Sequence, residues 1–97
     1  MFIISLTYKK DLSEVEAHID EHIEYLNRYY EAGIFMLSGK KVPRTGGVIF
    51  AQSKSKEEID RIVQEDPFFK EDIAQFDIIE FSPSKSSKGL EFLIERG

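Results

Sequence analysis

The sequence predicts an α+β protein in the ferredoxin-like order βαββαβ, an antiparallel sheet with two helices on one face. Three observations predict it. Phe2, Ile4, Leu6 and Tyr8 alternate with Ile3, Ser5 and Thr7, the period of two of a strand buried on one side. Two later stretches place apolar residues at helical spacing behind capping residues. Short apolar runs bounded by Gly, Ser and Pro occupy the positions between and after them.

The alternating segment is the first strand. Asp11 with Glu14 and Ser13 with Glu16 are overlapping capping boxes, and acids suit the positive end of a helix dipole, so the first helix starts there and ends at Gly33. Val15, Ile19, Ile23, Leu26 and Tyr30 make its apolar stripe. Ile34 to Leu37, closed by Ser38-Gly39, and Val48 to Ala51, entered from Gly46-Gly47, are short enough for strands. Ser55 with Glu58 caps a second helix with Ile59, Ile62 and Val63 on its inward face, which must stop at Pro67. Phe76, Ile78, Ile79 and Phe81 supply the last strand. Residues 1–83 form the domain, and 84–97 add a linker and a short amphipathic tail, Leu90 to Arg96, compatible with helix or strand.

A chain of 97 residues with 41% apolar content has room for one domain. Helices cover one sheet face only, and the other is too apolar to stay wet, so a homodimer of facing sheets is expected. A net charge of -5 argues against broad contacts with nucleic acid or an anionic membrane. The absence of cysteine excludes disulfides, thiolate zinc sites, iron–sulfur clusters and a cysteine nucleophile. No segment has the length of a signal core or a membrane span, which predicts a cytoplasmic protein.

The remaining chemistry rests on His, carboxylate, hydroxyl, Lys and Arg. Both histidines fall in His18-Ile-Asp-Glu-His22, a spacing that shares a helix face and binds zinc in metalloproteases. Here the Glu that follows the first His in those enzymes is missing, and further protein ligands would have to be carboxylates. At about 100° per residue, His22 sits at the edge of the apolar stripe and His18 toward water. His22 is either a core-edge residue held by one hydrogen bond or a general acid or base. Asp66 falls on the buried face at a helix C-terminus, where an anion is costly unless paired. It is either a helix-ending Asp-Pro turn or a carboxylate held inward for His22. Ser38-Gly39 and Gly46-Gly47 bring backbone close to a ligand or simply punctuate a hairpin. Lys41 and Arg44 between them clamp a small anion or only solubilise the loop.

Together, His22-Ile-Glu-Tyr25-Leu26, Gly33-x-x-x-Leu37-Ser38-Gly39, Gly46-Gly47 and Asp66-Pro67-Phe68 resemble the YciI-like (YCII-related) family over nearly the whole chain up to Pro83. The resemblance implies a ferredoxin-like dimeric α+β barrel in which a helix histidine and an aspartate before proline are the proposed catalytic pair, here His22 and Asp66. Related barrel enzymes include lactone isomerases and dehalogenating lyases acting on small ring acids. The chain departs from the family where Lys40, not Pro, follows Gly39, which alters the pocket rim.

The expected protein is a cytoplasmic, homodimeric small-molecule enzyme of lyase, isomerase or hydrolase type, with an apolar pocket for a small anionic substrate. His22 shuttles a proton and Asp66 fixes its tautomer. Ser38 and the backbone near Gly39 bind a polarised oxygen, Lys41 or Arg44 binds a carboxylate, and no metal or organic cofactor is required. The alternatives are a non-catalytic ligand-binding or oligomerisation module and a metal enzyme built on His18 and His22.

Overall fold

Phe2, Ile4 and Leu6 are buried while Ser5 and Thr7 face the other way, so the alternation read from the sequence produces strand β1, Phe2–Tyr8. Each such side chain contributes about 1.5–3 kcal/mol by leaving water. The structure, a computed structural model, describes residues 1–94. β1 is followed by helices α1 (Leu12–Ala17) and α2 (Ile19–Glu31) and strands β2 (Phe35–Lys40) and β3 (Gly46–Ala51). Helices α3 (Lys56–Val63) and α4 (Pro67–Lys70), strand β4 (Ala74–Glu80) and a 3-10 turn at Glu91–Leu93 complete the order. The strands form one sheet in the order β2-β3-β1-β4, and every pairing is antiparallel. That is the predicted α+β, ferredoxin-like arrangement.

The first helix differs from expectation. It breaks at His18, whose φ of -114° and ψ of 6° end α1 and begin α2. The expected stripe is therefore not one line. Tyr25 is the buried residue of α2, whereas Ile23 is 46% exposed. The larger ring wins because its hydroxyl has a partner inside, the carbonyl of Ile62 at 2.8 Å, and its face meets Tyr29 and Phe35 edge-on. His18, expected in water, is half-buried at the break. Neither capping box closes at this end: Asp11 is the N-cap without a side-chain bond, and Glu16 turns away to Arg44. The Ser55 cap does form, its hydroxyl accepting from the Glu58 N–H.

At its other end α2 stops as the sequence requires. Gly33 takes a φ of +76°, and the N–H groups of Gly33 and Ile34 return to the carbonyls of Tyr30 and Tyr29. This double closure needs a left-handed residue after the helix, which glycine adopts without a Cβ penalty.

Strand β2 runs on through Ser38, Gly39 and Lys40, beyond the apolar run that marked it, because a ladder needs backbone partners and these residues have them in Ile49, Val48 and Gly47. The register slips between Phe35 and Leu37. Such a bulge turns the alternation over. Phe35 opposite Ala51 faces the helices, Leu37 opposite Phe50 faces away, and Ser38 opposite Ile49 again faces the helices. The sheet face away from the helices carries Ile3, Leu37, Phe50 and Ile79 on neighbouring strands, with Leu37 and Ile79 each 55% exposed.

After β4, the expected linker has no regular structure, and the tail makes only the 3-10 turn. Its last expected residues, Glu95 and Arg96, lie outside the described residues.

Candidate active site

Asp66 occupies a different local position from the one the sequence suggested. α3 ends at Val63, and Pro67 opens the new helix α4 with Asp66 as its N-cap. Proline suits the first helical position because its missing N–H would have no partner there. Asp66 Oδ1 accepts the Phe68 N–H at 2.9 Å, so the carboxylate sits at the favourable end of a helix, not at the end that repels it. The side chain has no solvent exposure.

The same oxygen lies 2.8 Å from Nδ1 of His22 on α2. The imidazole also stacks on the Phe68 ring at a centroid distance of 4.1 Å and an interplanar angle of 5°. Two neighbouring residues of one turn thus fix the histidine, Asp66 by a hydrogen bond in the ring plane and Phe68 by its face. Nε2 has no hydrogen-bond partner among the described residues. Asp66 Oδ2 is buried without a partner among them. The negative charge of Asp66 adds to burial, the larger cause, in pushing the Tyr25 hydroxyl far above the ordinary phenol range.

His22 lines a cavity of about 320 Å³ between α2 and the sheet. Leu6, Ile19, Leu26, Ile49 and Phe68 give it an apolar wall, and Ser38, Gly39, Lys40 and Arg44 stand along β2 and the following loop. The bulge explains which of these residues arrive. Ser38 and Lys40 pair with Ile49 and Gly47 and share their side of the sheet. The Ser38 hydroxyl is 2.5 Å from the Tyr30 hydroxyl. Arg44 Nη1 donates to Glu16 Oε1 at 2.8 Å, a bond that pushes the guanidinium still higher above neutrality. Gly46 is required for close approach: a Cβ there would lie 1.7 Å from the Leu6 carbonyl oxygen.

Of the six residues singled out from the sequence, His22, Ser38, Gly39 and Arg44 line the cavity, and Asp66 stands behind His22. Lys41 does not line it. Its ammonium reaches the Thr7 hydroxyl at 3.1 Å, because the next residue along a strand points to the opposite face. Lys40 takes that place in the wall. Phe68, Glu16 and Tyr8 also line the cavity, and Tyr30 meets Ser38; of these only Phe68 carries a signal in the sequence, by following Asp66-Pro67 directly. Among the described residues, no group of three or more His, Cys, Asp or Glu is placed to hold a metal ion.

Residues 1–82 match the model of the YCII-related domain. The chain belongs to the YCII-related family. No curated protein matches it. Among solved structures, this YCII-related chain is similar to 5-chloro-2-hydroxyhydroquinone dehydrochlorinase (TftG) from Burkholderia phenoliruptrix AC1100, determined in complex with 2,5-dihydroxybenzoquinone. The two share 17% sequence identity at a TM-score of 0.72, over 84% of this chain and 92% of that one. At that identity the likeness is one of fold. No helix among the described residues is long and apolar enough to cross a membrane.

Proposed function

We propose that this YCII-related protein is a cytoplasmic, homodimeric small-molecule enzyme of lyase, isomerase or hydrolase type that uses His22 and Asp66 for proton transfer on a small anionic substrate. The observation that carries the proposal is the 2.8 Å contact between His22 Nδ1 and a wholly buried Asp66 at the wall of an apolar cavity. A carboxylate accepts and does not donate, so Nδ1 supplies the proton of that bond and Nε2 is left as the base. When Nε2 takes a proton from the substrate, the ring becomes cationic beside a fixed anion, which stabilises it. Phe68 holds the ring in plane meanwhile. Ser38 and the Gly39 backbone bind the substrate oxygen that gains charge, and Arg44 binds a carboxylate. The proton transfer itself requires neither metal nor organic cofactor.

The cavity volume of about 320 Å³ falls in the range of small-molecule sites, and the dehydrochlorinase of the same fold holds a single ring, 2,5-dihydroxybenzoquinone. Dimerisation through the apolar sheet face is part of this reading, since Leu37, Phe50 and Ile79 form a continuous patch there.

The test is nitrogen NMR of the neutral His22 imidazole in the wild type and in Asp66→Asn. The wild type is expected to carry its proton on Nδ1, and Asp66→Asn, whose amide donates as well as accepts, is expected to lose that tautomer preference. An unchanged tautomer ratio would mean that the carboxylate does not act on the histidine. If His22→Ala loses stability but binds small ring acids as before, the pair is structural and the protein is a binding module.

A further inference from the structure

We propose that Glu16 is a competitor built into the cavity wall: a ligand carboxylate must take Arg44 from it, so Glu16 sets the selectivity between anionic and neutral ligands. The inference rests on the reading of Arg44 as a carboxylate ligand and goes beyond it by assigning a role to Glu16.

Glu16 and Arg44 line one cavity from different elements, the last turn of α1 and the loop between β2 and β3. Their ion pair measures 2.8 Å, and Glu16 is the only carboxylate among the described residues that line the cavity. Arginine grips a carboxylate best with two parallel N–H donors. Here Nη1 is engaged by Glu16, and Nε is buried without a partner among the described residues. That unused edge is shut off from any solvent-sized group. A ligand that uses the Nε edge therefore has to turn the guanidinium, which loosens the bond to Glu16, and one that uses the Nη1–Nη2 end competes with Glu16 for Nη1. If Glu16 stayed, two carboxylates would share one cation beside largely apolar walls, which disfavours the complex.

The exchange is inexpensive in the geometry present. Glu16 is 55% exposed and Arg44 31%, and ion pairs at such exposure contribute little. Once released, Glu16 returns to water. Its helix ends at the His18 break, so its release asks no movement of α2, which carries His22. A neutral ligand makes no claim on Arg44 and leaves the pair in place.

Isothermal titration with benzoate and its neutral isostere benzamide tests this in the wild type, E16Q, R44Q and the double variant. E16Q is expected to tighten benzoate binding roughly two- to five-fold, the range of an exposed pair, and to leave benzamide unchanged. In the R44Q background, E16Q is expected to have no effect on benzoate. Should R44Q fail to fold, R44K, which keeps the charge but loses the fork, is expected to diminish the E16Q effect. The proposal is overturned if E16Q leaves benzoate binding unchanged or weaker, shifts both probes alike, acts equally without Arg44, or if benzoate does not bind at all. His22 is intact throughout, so failure of proton transfer and failure of this exchange read out separately.

Discussion

His22 Nδ1 and Asp66 Oδ1 lie 2.8 Å apart across 44 positions of sequence, and the same Asp66 oxygen accepts the Phe68 N–H that starts α4. One buried carboxylate thus caps the start of a helix and holds an imidazole. Because the two tasks need different properties of the side chain, substitution separates them.

Asp66→Ala removes both bonds and is expected to destabilise the fold by about 1–3 kcal/mol. Asp66→Asn keeps an oxygen for the Phe68 N–H and is expected to cost distinctly less. Urea denaturation of the three proteins measures the difference; equal losses would show that the cap is not what Asp66 supplies to stability.

Tyr25→Phe removes the 2.8 Å bond from its hydroxyl to the Ile62 carbonyl, which keeps the Glu65 N–H at 3.0 Å. A loss of about 0.5–1.5 kcal/mol at neutral pH is expected from the lost hydrogen bond. A thermal melt unchanged from wild type would contradict the role given to this hydroxyl in choosing the inward face of α2.

Alkaline pH should destabilise the protein through its tyrosines. Burial, then hydrogen bonding to Glu65, push the Tyr29 hydroxyl from 10.0 up to about 12, and burial also pushes Tyr25 up. The unfolded chain releases these protons near the ordinary value while the native state keeps them. Above it the folded state binds more protons, so stability falls as pH rises. The contribution is whole below pH 10 and is lost as pH rises from 10 toward about 12 and beyond. Urea midpoints measured across that window should fall less steeply in Tyr29→Phe than in wild type.

Gly46→Ala drives a Cβ to 1.7 Å from the Leu6 carbonyl oxygen, a backbone atom that a rotamer change cannot move. A cost of about 2–3 kcal/mol is expected from the overpacking, together with loosening of the β1–β3 pairing seen by amide exchange.

Ile79→Lys places a charge on the 55% exposed apolar residue of the open sheet face. Sedimentation equilibrium is expected to show a dimer for the wild type and a monomer for the variant, with the monomer's helical content unchanged. A monomeric wild type would refute the dimer.

Much of this was legible in the residues. Period-two alternation placed β1, and the Ser55 and Gly33 signals placed the ends of helices, because each depends on neighbours in sequence. His22 and Asp66 were legible as polar residues on apolar faces. What escaped the sequence depended on contacts across it. The break at His18 exchanged Ile23 for Tyr25 because a carbonyl on α3 satisfied the phenol. The bulge between Phe35 and Leu37 put Lys40, not Lys41, in the wall, and no propensity marks an extra residue in a ladder. Asp66 stands at a helix N-terminus and not at the C-terminus its place before a proline suggests, because α3 ends at Val63 and Pro67 starts a new helix.

In the function proposed above, His22 moves protons. Deuterium uptake from D2O into a panel of small cyclic keto and hydroxy acids, followed by proton NMR, measures this without knowledge of the full reaction. The wild type is expected to exchange an acidic C–H of at least one compound, and His22→Gln is expected to bind that compound while exchanging it about 10²-fold or more slowly. No exchange by the wild type, or equal exchange by His22→Gln, would contradict the claim.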